Sequence, residues 1–217
     1  MKFSALLLSF AFLTQVANAG VLTLENGSKK IEGVSVATSA ALTMPGTTTL
    51  EKLDFIGAGL RTKKVLVANV KVYVAQVFLD NAGKFVRSEA GAVKSLSDMK
   101  AGAVSLTFLR NVDAPTVQIS FRDALEANDI DVNDKGVAAF LSAVKEGADA
   151  KEGKAMNISL KRADDGKVTV VYENTSGVEK TITGGETLFK GILAIWLGEP
   201  ADSGLETLRA AILKGDK

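Results

Sequence analysis

Residues 57–79 read GAGLRTKKVLVANVKVYVAQVFL, a glycine turn and a lone arginine that lead into a long strand-like segment. Between Leu66 and Phe78 the even-numbered positions are mostly apolar, while the odd ones carry Asn69, Lys71 and Tyr73. Side chains alternate across a strand, so this spacing predicts one drier and one wetter face. Arg61 and Tyr73 stand twelve positions apart. In a hairpin centred near Val67 that even spacing sets them opposite each other on one face. Thr62 to Lys64 is equally turn-like, and a turn there would break the pairing. Gly57 and Gly59 do not open a dinucleotide-binding turn, because Thr62 holds the third position of G-x-G-x-x-G and a strand follows where a helix is needed.

Outward from this stretch, residues 20–48 are polar and rich in Ser and Thr, with short apolar runs at 21–24 and 34–37 that suit edge strands. Residues 84–100 read as helix or loop, and 103–109 as another strand. Asp113 and Pro115 start a helix that runs to about Asn128, and Asp134 caps a second one through Val144. Met156, Ile158 and Leu160 alternate with polar residues, Asp165-Gly166 supplies a turn, and Val168, Val170 and Tyr172 alternate on the return strand. From Leu188 to Trp196 the chain is apolar on nearly every side, which predicts a buried helix ending at Gly198 to Pro200. Ser203 and Glu206 read as a capping box for a last helix that displays Leu205, Leu208 and Ile212. Strands, helices, strands, helices in that order predict an α+β fold with helices packed on an antiparallel sheet.

Composition removes several kinds of chemistry. The 217 residues contain no cysteine and no histidine, so thiol nucleophiles, imidazole bases and the usual zinc, haem and copper ligands are missing. Asp129, Asp131 and Asn133 mimic the start of a calcium loop, but Asp134 stands where glycine is needed and Phe140 where glutamate is needed. A solvated turn and helix cap is the better reading. Neither a metal nor any other cofactor is implied. Lys2, the apolar run from Ala5 to Leu13 and the small-x-small Ala17-Asn18-Ala19 read as a cleavable leader, residues 1–19, so that one domain, residues 20–217, begins at Gly20. The expected location is the periplasm. Losing Lys2 from the chain's 26 basic side chains leaves 25 against 25 acidic ones, and a net charge of zero disfavours electrostatic capture of nucleic acid or of an anionic membrane. No later apolar run reaches the roughly 20 residues of a spanning helix.

The stretch from Gly57 to Leu79 closely resembles the first core hairpin of the chalcone isomerase fold family. Residues 104–128 and 184–213 resemble it more loosely, so the likeness covers most of the chain. It implies an open-faced sandwich, an antiparallel β-sheet with a layer of α-helices. The family includes true isomerases, fatty-acid-binding proteins and members with no known activity, so the site has to be read residue by residue. Carried over by position, the arginine is Arg61, and Tyr73 stands where the isomerases have a threonine. Phe121 in FRDALEAN stands where they have a tyrosine, and the asparagine seven residues later is Asn128. Phe189 takes the place of a hydroxyl-bearing residue in the late helix.

A buried guanidinium offers two parallel donors to a carboxylate or enolate, and a neighbouring tyrosine adds a third. Replacing polar positions with Phe121 and Phe189 makes the cleft drier, which suits an acyl chain. The resemblance therefore implies a protein that binds a small amphipathic anion such as a fatty acid, with Arg61, Tyr73, Phe121, Asn128 and Phe189 as ligand-binding residues and Ile192 and Leu193 as further walls. The alternative in the enzyme class is an intramolecular lyase acting on an unsaturated substrate. A third reading is a structural or partner-binding role in which side chains fill the cleft and nothing binds; for the pair itself, the plain structural alternative joins Arg61 to a local acid such as Asp54 and leaves the Tyr73 hydroxyl at the surface.

Overall fold

Eight strands hydrogen-bond in chain order, each antiparallel to the one before. They are β1 (Leu22–Ile31), β2 (Val34–Leu42), β3 (Glu51–Val65), β4 (Ala68–Leu79), β5 (Ala101–Phe108), β6 (Ala155–Arg162), β7 (Val168–Glu173) and β8 (Glu179–Gly184). Between β4 and β5 lies α1 (Glu89–Ser95); α2 (Ala114–Ala127) and α3 (Lys135–Lys145) join β5 to β6, and α4 (Glu186–Leu197) and α5 (Ser203–Lys214) follow β8. This computed structural model describes residues 21–215, so the leader reading of residues 1–19 lies outside the described residues. The architecture is the expected α+β arrangement of an antiparallel sheet with helices packed on it. Among the described residues no helix is long and apolar enough to cross a membrane.

The β3–β4 hairpin turns at Leu66-Val67, and Arg61 pairs directly with Tyr73. Thr62 to Lys64 therefore lie within β3 and form no turn. Two irregularities bracket this pair. The register changes between the pairs Phe55↔Phe78 and Gly57↔Val77, which leaves Ile56 extra on β3, and between Arg61↔Tyr73 and Thr62↔Lys71, which leaves Val72 extra on β4. A bulge bends its strand and re-aims the next side chain. The result is a short in-register block, residues 57–61 against 73–77, that ends at the Arg61–Tyr73 pair.

Tyr73, Ala75 and Val77 sit opposite Phe108, Leu106 and Val104, and all six belong to the main core with the helices. Phe78 and Ala103, on the opposite face, join a second core with Val36, Ala37, Ala40 and Leu42 of β2. The expected wetter face is thus absent from Tyr73 onward. The helices cover that face, while the curl of the sheet closes the opposite one by bringing β2 near β4 although β3 lies between them. Gln76 bridges that approach, accepting from the Ala37 N–H at 2.7 Å and donating to the Ser35 carbonyl at 3.2 Å. The polar segment expected to supply only edge strands is in fact a full hairpin, with β1 at the edge and β2 inside the sheet. Its mostly exposed β1 explains the weak apolar signal.

The helix starts follow their caps. Asp113 accepts from the Thr116 N–H at 2.9 Å, and Asp134 accepts from Gly136 and Val137. The last helix corrects the capping-box reading, since Asp202, not Ser203, is its cap and accepts from Gly204 and Leu205 at 3.0 Å. Asp131 accepts from Asn133 in a tight turn before α3, in the place where the calcium-loop pattern began. Strand β8 left little mark in the sequence because Ile182 is its one buried side chain.

Gly57 and Gly59 serve packing within β3. A Cβ on Gly57 would lie 2.0 Å from the Ile212 carbonyl oxygen, and one on Gly59 would lie 2.9 Å from Leu208 Cδ1. Helix α5 therefore rests directly on the strand backbone. Gly57→Ala is expected to destabilise the fold by about 3 kcal/mol, since the clash is with backbone that cannot rotate away; urea unfolding measures this, and a loss below about 1 kcal/mol would contradict the close approach.

Candidate functional site

The end of the β3–β4 hairpin, the end of β5 and the start of α2 enclose a cavity of about 320 Å³. Its apolar walls are Val65, Val70 and Val72 from the hairpin, Phe108 from β5, Val112, and Val117 with Phe121 from α2. Its charged lining consists of Arg61, Lys63 and Arg110 against one acid, Asp113. Tyr73 lines it beside Arg61. Arg61, Tyr73 and Phe121 thus come together on one cavity, whereas Asn128 and Phe189 do not line it.

Arg61 is 3% exposed, and its Nη1 and Nη2 donate to Asp202 Oδ1 and Oδ2, both at 2.7 Å. Nη1 also donates to the Thr62 carbonyl. Lys63 Nζ reaches the same carboxylate at 2.7 Å. The partner of Arg61 is therefore the cap of α5, 141 residues away, while Asp54 is exposed on β3. Close contact makes this possible, because a Cβ on Gly204 would lie 1.9 Å from the Thr62 carbonyl oxygen. Burial pushes the Asp202 carboxyl up, but hydrogen bonds from Arg61, Lys63 and the Leu205 N–H, with the Arg61 charge, outweigh it and hold it well below the usual carboxylate range. Two cations on one carboxylate leave the cluster with a surplus positive charge.

Tyr73 is 6% exposed and packs edge-on against Phe108, ring centres 5.5 Å apart. Trp196 Nε1 donates to its hydroxyl at 3.2 Å. Burial raises its pKa, offset in part by the Arg61 charge and the Trp196 bond. The hydroxyl is a neutral donor at ordinary pH, and among the described residues no acceptor takes its proton. Phe121 stacks on Phe140 at 6.0 Å and meets Trp196 edge-on at 5.5 Å. Its ring forms the wall where α2 faces the sheet.

The remaining expected residues have structural tasks. Asn128 Nδ2 donates to the carbonyls of Ala124 at 2.8 Å and Glu199 at 2.9 Å, and its Oδ1 accepts from the Glu199 N–H at 2.7 Å. It ties the end of α2 to the chain between α4 and α5. Phe189 is fully buried with the Arg162 guanidinium 4.3 Å from its ring centre, and Ile192 and Leu193 sit in the core. Sequence reasoning missed Lys63, Arg110, Trp196 and Asp202. Asp202 carried a usable signal, an acid directly before a helix start; Trp196 had none beyond its place in an apolar run.

Comparison with known proteins agrees with this architecture. A family model described as chalcone isomerase-like matches residues 28–214. Among solved structures, a fatty-acid binding protein of Arabidopsis thaliana superposes with a TM-score of 0.55 at 17% identity, covering 80% of this chain and 95% of that one. At that identity the likeness speaks for the fold. No curated protein matches the sequence. With the family match spanning nearly all of the described fold, the chain belongs to the chalcone isomerase-like family.

Proposed function

We propose that this protein binds a small amphipathic anion, such as a fatty acid, in the cavity between the β3–β4 hairpin and α2. The observation that carries this reading is the division of the cavity lining, with aliphatic and aromatic walls and three cations against one acid. Small-molecule sites of this kind run from roughly 300 to 1,000 Å³, so a cavity of about 320 Å³ suits a small ligand. The Tyr73 hydroxyl and the surplus charge of the Arg61–Lys63–Asp202 cluster take the carboxylate. The valines and Phe121 take the apolar tail. The likeness of fold to a fatty-acid binding protein supports the choice of ligand class.

Displacement titrations with dodecanoate and dodecanol test it. The acid is expected to bind more tightly, and Arg61→Ala, which removes the cluster's surplus charge, should cost it about 1–2 kcal/mol while leaving the alcohol nearly unaffected. Tyr73→Phe removes one neutral donor and should cost about 0.5–1.5 kcal/mol. Lys63→Gln, at an exposed position, keeps the test alive if Arg61→Ala unfolds, and should narrow the acid's advantage by up to about 1 kcal/mol. Equal losses for acid and alcohol, or no binding of either, would overturn the reading. We propose in addition that residues 1–19 direct export to the periplasm, where intact-mass measurement should find a chain starting at Gly20.

A further inference from the structure

The tip of the β3–β4 hairpin is at odds with its surroundings. Leu66 is 91% exposed, Val67 98% and Val65 51%. Leu66 also adopts φ of 55°, a left-handed conformation that turns normally fill with glycine, asparagine or aspartate. The turns at Gly166 and Gly177 obey that rule, and the β1–β2 turn places the polar Glu32, at φ of 50°, beside Gly33. At this one turn a branched aliphatic side chain is held in an unfavourable backbone conformation and in water, two costs that folding does not require. Outliers of that kind accompany function.

The hairpin segment that bears the tip carries charge of one sign, and the acids beside it belong to other parts of the chain. Residues 62–72 contain Lys63, Lys64 and Lys71 and no acid, and all three lysines are exposed. Lys63 and Lys71 have ion-pair partners in Asp202 and Glu32, whereas among the described residues Lys64 has none. An apolar point within a basic collar is the pattern of segments that enter the interface of an anionic bilayer, where the aliphatic groups pass into the acyl region and the ammonium groups stay among phosphates. Three side chains on a two-residue turn offer far less than the roughly 1,000 Å² of a stable protein interface. Lipid needs no such complementary area.

We propose that the Val65-Leu66-Val67 tip docks this protein onto anionic phospholipid bilayers. The same hairpin lines the cavity with Lys63, Val65 and Val70, so docking sets the edge of the cavity against the bilayer. The inference goes beyond the ligand reading and stands without it.

Co-sedimentation of the purified protein with vesicles tests it. Binding is expected to mixed phosphatidylethanolamine and phosphatidylglycerol, with weak binding to pure phosphatidylcholine, and added salt should reduce it. The double substitution Leu66→Asp with Val67→Asp should lower vesicle affinity by about tenfold or more. Leu66→Gly provides the control for folding, because it relieves the backbone and should hold or raise the unfolding midpoint while still weakening vesicle binding. Unchanged sedimentation of the Asp double variant would overturn the proposal, as would a native protein that ignores every vesicle. A self-association in ultracentrifugation that the double variant abolishes would also overturn it, by assigning the tip to a second copy of the chain.

Discussion

Asp202→Asn should lower the free energy of unfolding by about 3 kcal/mol, the range found when one partner of a buried ion pair is removed. Asparagine still caps a helix well, so the loss isolates the charge and not the cap. The large effect comes from Arg61, which is 3% exposed and would keep its guanidinium with no carboxylate to answer it. Replacing both residues, Arg61→Met with Asp202→Asn, should recover most of the loss, since no buried charge then remains unpaired. The pair also sets an acid limit. The Asp202 carboxyl is held below its usual range in the folded state, so between its ordinary pKa of about 4 and that lower value the unfolded chain binds more protons and stability rises with pH. The contribution is complete above the ordinary value and is lost as pH falls through the folded one. Urea unfolding measured from neutral pH downward should therefore show a steeper acid loss for the native protein than for Asp202→Asn, and parallel curves would exclude the pair as its source.

What the sequence disclosed and what it hid follow from the range of the interactions concerned. The hairpin that carries Arg61 and Tyr73 was legible because it is local, but its two-residue turn at Leu66-Val67 would set Arg61 opposite Val72, and the pairing with Tyr73 needs the bulge at Val72, which spacing alone does not disclose. The helix starts at Asp113 and Asp134 were legible for the same reason, each cap binding donors within its first turn. Asp202 was hidden as a partner because its carboxylate reaches Arg61 across 141 positions, and nothing local marks such a contact. The role of Gly57 and Gly59 was hidden as well, since only the approach of α5 explains why these positions on β3 carry no side chain. Asn128 and Phe189 were drawn into the site by position in a family pattern, and in space one secures a helix end while the other fills the core beneath Arg162. Homologous position predicts a place in the fold more securely than a task.

Catalysis separates those two quantities most sharply, and no stereoselective cyclisation of chalcones above the spontaneous rate is expected. The reaction needs ordered donors on the enolate that develops as a phenolate attacks the enone. Both terminal nitrogens of Arg61 already donate to Asp202, so the two parallel donors that would meet the enolate are engaged. Phe121 brings no hydroxyl, and its ring is held between Phe140 and Trp196. Tyr73 can donate a proton but fills the space where a smaller threonine would admit substrate. Each lost donor costs on the order of a hundredfold or more in rate, and two such losses exceed what a single repair restores. Phe121→Tyr should therefore recover little, and the new hydroxyl, placed in an aromatic cluster without an acceptor, should cost about 1–3 kcal/mol of stability. Absorbance decay with chiral analysis of the flavanone measures both points. Rapid formation of one enantiomer by the native protein, abolished by Arg61→Ala, would show that a ligand displaces Asp202 from the guanidinium, and the cavity would then have to be read as a lyase site.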